Sequence, residues 1–153
     1  MKEILIRAAL RKDVVPIRRI LALYAKQKIV LPRTSDEISR HISNFRVAEK
    51  NGKVIGCCAY RDYGNGLFEI RSLAVSPHNK GRGAGTELVK YMIKDISSRG
   101  KVKIFALTTS PAFFKKFRFK LVGKEMFPQK IWYDCSKCPK LDKCDEEALL
   151  LVP

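Results

Sequence analysis

Lys80-Gly81-Arg82-Gly83-Ala84-Gly85-Thr86 is the stretch on which the reading of this chain turns. An apolar run, Leu67–Val75, leads into it through Ser76-Pro77. Behind it Leu88, Val89, Met92, Ile93 and Ile96 recur at helical spacing. The segment therefore predicts a strand, a glycine-rich loop and a helix. Glycines at a helix start leave backbone N–H groups unshielded, and the helix dipole favours an exposed anion there by about 0.3–1 kcal/mol per charge. Lys80 and Arg82 set mobile cations beside the same anion. The spacing fits neither the dinucleotide pattern G-x-G-x-x-G nor the phosphate loop G-x-x-x-x-G-K-[ST]. A glycine-rich helix start without a ligand is the plain alternative.

Working outward, residues 4–9 predict a short strand, and Asp13 is placed to cap a helix with Val14, Ile17, Leu21 and Tyr24 on one face. Thr34-Ser35-Asp36-Glu37 has capping-box spacing and predicts a second helix with Ile38, Ile42 and Phe45 inward. Asn51-Gly52 predicts a hairpin between residues 45–49 and 54–60. Tyr63-Gly64-Asn65-Gly66 predicts a second turn into Leu67–Val75, expected as the longest strand. Gly100 is expected to end the helix after the loop, and residues 102–107 form another strand. Ser110-Pro111 starts a short helix through Phe117, with one or two strands in the tail. The order predicts one α+β domain over residues 1–153, with a mixed, mostly antiparallel central sheet flanked by helices.

Composition narrows the function classes. With 153 residues and 46% apolar content, a single good core is expected and disorder is not. No run of eighteen apolar residues occurs and no signal peptide is read at the N-terminus, so no membrane span and a cytoplasmic protein are expected. A net charge of +16 favours anionic partners, although a solvated basic surface explains it equally well. Five cysteines, two of them adjacent, do not suggest a disulfide framework.

The loop resembles motif A of the GNAT N-acetyltransferase superfamily: a basic residue or Gln, two residues, Gly, any residue, then Gly or Ala. Lys80 stands where that family usually has Gln or Arg. The resemblance implies the GNAT fold and acetyl-CoA as cosubstrate, with residues 81–86 (Gly81, Arg82, Gly83, Ala84, Gly85 and Thr86) and Lys80 around the pyrophosphate. It also implies that the strand before the loop splays from its neighbour. Backbone groups of Leu73, Ala74 and Val75 would then bind the acetyl carbonyl and pantetheine.

Phe68-Glu69-Ile70-Arg71-Ser72-Leu73-Ala74-Val75 is similar to the corresponding strand of N-acetylglutamate synthases. Leu31-Pro32-Arg33-Thr34 resembles that family's arginine loop, and Lys130-Ile131-Trp132-Tyr133-Asp134-Cys135 the tail of its short members. The resemblance implies acetylation of L-glutamate, the entry step of arginine synthesis. The residues agree with it. Strand alternation sends Glu69 and Arg71 to one face. Glu69 can accept the ammonium proton, directly or through water. Arg71 can bind one substrate carboxylate, and Arg33, or less readily Lys130, the other. A solvated Glu69/Arg71 pair is the bland alternative.

One departure concerns the short helix after the fifth strand. Phe114 stands where the family often has a proton-donating Tyr, and Arg118 replaces a usual glycine, so no general acid is assigned. Cys135, Cys138 and Cys144 have C-x2-C-x5-C spacing, a weak candidate for structural zinc whose fourth ligand would have to come from Cys57, Cys58, Asp145, His41 or His78, so no metal is expected. Three rivals stay open: a protein or peptide N-acetyltransferase, a non-catalytic acetyl-CoA sensor, and a basic nucleic-acid-binding module. The last lacks any recognition motif. Oligomeric state also stays open, a homodimer included.

Overall fold

A computed structural model describes residues 3–26, 33–127 and 146–153. Among the described residues, seven strands and four α-helices follow one another: β1 Leu5–Ala8, α1 Val14–Lys26, α2 Ser35–Arg40, β2 Phe45–Lys50, β3 Lys53–Asp62, β4 Leu67–Val75, α3 Ala84–Ser97, β5 Lys103–Thr108, α4 Pro111–Lys115, β6 Lys120–Val122 and β7 Glu147–Leu151. They form a mixed sheet in the order β1-β2-β3-β4-β5-β7-β6. The fold class is α+β, as the element order predicts. β3, with ten residues, is longer than β4, with nine.

The described chain divides into two compact units, one of residues 1–61 and 70–98, the other of 62–69 and 99–153. Strand β4 runs through both.

In the first unit β1, β2 and β3 form an antiparallel meander. Asn51 and Gly52 close its hairpin with φ of 55° and 76°, the left-handed pair that a two-residue turn requires. Phe45 and Val47 of β2 and Cys57 and Ala59 of β3 pack with Ile17, Ile20, Leu21 and Tyr24 of α1 and Ile38 of α2. Alternation sends Arg46 to the other side, where its Nη2 lies 2.9 Å from Asp95 of α3. Helix α3 buries Leu88, Val89, Met92 and Ile96 completely.

Several local expectations change. The Asp13 carboxylate does not cap α1, because a 3-10 turn over Arg11–Asp13 precedes that helix; it reaches back to accept from the Leu10 amide at 2.7 Å and is held by Nη1 and Nη2 of Arg7. Burial raises the Asp13 carboxyl, but Arg7 and the Leu10 amide outweigh it and hold the group below the usual range. Thr34 does cap α2, its hydroxyl accepting from the Glu37 amide at 3.1 Å. That helix stops at Arg40, so Phe45 joins the core from β2. Ser98 rather than Gly100 is the C-cap of α3. Helix α4 ends at Lys115.

In the second unit β5 pairs antiparallel with β7, and β7 with β6. The last strand of the chain therefore inserts between β5 and β6. Phe105, Phe127 and Ala148 form this unit's core, with Phe105 and Phe127 stacked at 4.0 Å.

Candidate active site

The loop leaves β4 at Val75, makes one 3-10 turn over Pro77–Asn79 and enters α3 at Ala84. Gly81 and Gly83 have φ of 77° and 89°, a left-handed conformation that costs an L-residue roughly 1–2 kcal/mol. A Cβ atom at either would meet nothing within 4 Å. These glycines therefore serve the turn and keep the surface open; they do not relieve a crowded contact. Gly83 is the N-cap of α3, and its carbonyl accepts from the Glu87 amide at 3.0 Å. The first amides of an α-helix have no partner within it, so the start of α3 offers an anion both donors and dipole. Lys80, Gly81, Arg82 and Gly83 are exposed, Ala84 is buried, and Gly85 and Thr86 are half-buried.

Strand β4 is irregular just before this loop. Ser72 has φ of 52°, so simple alternation fails from that residue on. The Cys57 thiol lies 3.5 Å from the Ser72 carbonyl, the Tyr24 hydroxyl donates to the Val75 carbonyl, and the Ser76 amide donates to Ile55 at 2.7 Å. Leu73 and Val75 are half-buried and Ala74 is buried. Gly56 of β3 admits the close approach here: a Cβ would stand 3.1 Å from the Ala74 carbonyl oxygen.

At the other end of β4, the parallel register with β5 pairs Leu67 with Lys103, Phe68 with Ile104 and Glu69 with Phe105. Glu69 is only 1% exposed, and Tyr63 Oη donates to its Oε1 at 2.9 Å. Tyr63 entered the sequence reading only as part of a turn. Its partner is six residues on, across Gly64-Asn65-Gly66, whose φ values are all positive. Arg71, two residues along β4 from Glu69, is half-buried. Arg33 lies just before α2 with Nη1 3.8 Å from Glu37 Oε2. Lys130, Cys135, Cys138 and Cys144 lie outside the described residues.

Phe114 is core: its ring lies 5.2 Å from Phe113 and 5.3 Å from Phe119, and it is 5% exposed. It has no proton to give. Arg118 takes φ of 72°, the conformation a glycine would adopt freely. Among the described residues, no group of three His, Cys, Asp or Glu side chains gathers to hold a metal, and no helix is long and apolar enough to cross a membrane.

The glycine loop is exposed, is left-handed at Gly81 and Gly83 and leads into α3 behind an irregular strand, and residues 12–119 match the Acetyltransferase (GNAT) family. The chain belongs to that family. It is 43% identical to an uncharacterised N-acetyltransferase of Chlorobaculum tepidum, over 95% of this chain and 94% of that protein. It is 29% identical to an amino-acid acetyltransferase of Neisseria meningitidis over 81% of this chain, and spans 29% of that relative's length. The N-acetylglutamate synthase of Neisseria gonorrhoeae, solved with coenzyme A and N-acetyl-glutamate, superposes with a TM-score of 0.86 at 25% identity. That likeness covers 98% of this chain and 35% of the other. The chain is thus a GNAT-type acetyl-CoA N-acetyltransferase.

Proposed function

We propose that this GNAT protein transfers the acetyl group of acetyl-CoA to the amino group of L-glutamate. The observation that carries the acceptor is the strand Phe68-Glu69-Ile70-Arg71, with a buried carboxylate at Glu69 and a half-buried guanidinium at Arg71. The amino-acid acetyltransferase and N-acetylglutamate synthase relatives agree with it.

In this reading the amine lone pair attacks the acetyl carbonyl carbon directly, the C–S bond breaks, and coenzyme A leaves as thiolate. The ammonium proton passes to Glu69, directly or through water. Backbone groups of Leu73, Ala74 and Val75 hold the acetyl and pantetheine portion. Lys80, Arg82 and the backbone of Gly81, Gly83, Ala84, Gly85 and Thr86 hold the pyrophosphate. Arg71 takes one carboxylate of glutamate, and Arg33 the other on leaving Glu37; Lys130 is the reserve candidate. No side chain is assigned to protonate the thiolate. The single-domain organisation and a cytoplasmic location belong to the same reading.

Glu69→Gln tests it, because the amide keeps the shape but not the basicity. A general base contributes about 10²–10⁴-fold in rate. Turnover with glutamate falls by that range while acetyl-CoA affinity holds, and higher pH restores part of the rate by deprotonating glutamate in solution. Full activity of the variant across neutral pH contradicts the role. A protein or peptide acceptor is the second reading: the relative at 43% identity is an N-acetyltransferase of unspecified acceptor, and the net charge of +16 suits an acidic protein surface as well as it suits glutamate.

A further inference from the structure

Tyr24 of α1 makes two contacts that its place on an apolar helix face does not require. Its hydroxyl donates to the carbonyl of Val75, the last residue of β4. Its ring lies beneath the Lys80 ammonium, with Nζ 4.8 Å from the ring centroid. The ring is 6% exposed and packed with Ile17, Ile20, Leu21 and Ile38, so it is a fixed platform. Lys80 is exposed, and its ammonium rests on that platform. A lysine side chain loses considerable rotamer freedom when ordered; one already resting on an aromatic face has lost part of it before any ligand arrives.

We infer that Tyr24 is a positioning residue for the cosubstrate. Its hydroxyl fixes the end of β4, and its ring aims the Lys80 ammonium at the phosphates of acetyl-CoA. The inference rests on the loop being the cosubstrate site, and it separates two effects on one side chain. The hydroxyl acts on every thioester cosubstrate, because the Val75 backbone is where the pantetheine runs. The ring acts only on a cosubstrate that carries phosphate, because only phosphate rewards an aimed ammonium.

Binding of acetyl-CoA and of S-acetylpantetheine, which lacks phosphate groups, is measured by calorimetry for Tyr24→Phe, Tyr24→Leu, Lys80→Met and the double variant Tyr24→Leu/Lys80→Met. Tyr24→Phe keeps the ring and should weaken both ligands by the same factor. Tyr24→Leu should weaken acetyl-CoA by a further factor of about 2–30, the span of a lysine–aromatic contact, and leave S-acetylpantetheine no worse than Tyr24→Phe does. The double variant should bind acetyl-CoA no more weakly than the two single losses taken with their shared contact counted once. Additive losses, or equal losses for both ligands, overturn the inference while leaving the loop assignment intact. Unchanged acetyl-CoA binding in Lys80→Met removes its ground together with the role of Lys80. Should Tyr24→Leu fail to fold, increasingly fluorinated phenylalanines at position 24 keep the shape and drain the ring face. Acetyl-CoA affinity then falls stepwise with fluorination if Tyr24 aims Lys80, and stays level if it does not.

Discussion

The ring of Tyr63 lies 5.7 Å from that of Phe105, the residue paired with Glu69 across β4 and β5, and the Tyr63 hydroxyl stands 2.9 Å from Glu69 Oε1. The ring contact thus holds the phenol where its hydroxyl meets a carboxylate that is almost wholly out of water. In the proposed mechanism the phenol holds the Glu69 carboxyl in the orientation that takes the proton, and a misaligned base forfeits roughly tenfold or more of a general-base contribution of about 10²–10⁴. Tyr63→Phe is expected to lower kcat with glutamate by about that factor and to leave the acetyl-CoA KM unchanged. Steady-state kinetics decide it. A rise in the acetyl-CoA KM with kcat intact would make the pair structural only.

Arg71→Ala is expected to weaken glutamate use far more than acetyl-CoA binding. Removing one partner of a desolvated charge pair costs roughly 2–5 kcal/mol. Arg33→Ala should act in the same direction, less strongly if Glu37 already holds part of its charge. Glutamate KM and acetyl-CoA affinity, measured side by side, check both.

Burial pushes the Cys57 thiol up to about 12, with a backbone hydrogen bond at Ala74 pulling slightly back, and it raises Cys58 further. The thiolate is the nucleophile. Neither residue should be alkylated at pH 8 in the folded protein, and both should be on addition of denaturant. Peptide mass mapping after iodoacetamide treatment reads each cysteine separately. Rapid native labelling of Cys57 would show that the β3–β4 region opens.

Arg118→Gly is expected to stabilise the fold. Arg118 holds φ of 72°, for which an L-residue loses roughly 1–2 kcal/mol, while glycine adds unfolded-state entropy worth roughly 0.5–1 kcal/mol. The net gain by urea unfolding should be positive and no more than about 1.5 kcal/mol. The opposite logic holds at Gly66, where φ is 77° and a Cβ would stand 2.7 Å from the Lys101 carbonyl oxygen. Gly66→Ala should therefore destabilise.

Much of the fold was legible because it is written in local rules. Asn51-Gly52 and Gly64-Asn65-Gly66 mark turns whose φ values are positive, and the apolar spacing of α3 returns as Leu88, Val89, Met92 and Ile96 in the core. The glycine loop was legible for the same reason. What escaped the sequence are pairings between distant residues. Nothing periodic says that β7 enters between β5 and β6, that the Asp13 carboxylate would reach back to Leu10 and Arg7, or that Tyr24 would reach Val75. The left-handed Ser72 was also hidden, since serine carries no signal for that conformation. Glu69 was legible as a strand carboxylate in a family motif, but its burial and its Tyr63 partner were not. Those depend on how β4 meets β5.

The most direct test is coenzyme A release by the unaltered protein, followed with L-glutamate, the other free amino acids and a set of peptide amines, with products identified by mass. The account predicts that L-glutamate gives the highest kcat/KM and that N-acetylglutamate is the product. Faster turnover of peptide amines, or acetyl-CoA binding with no transfer to any of them, would contradict it.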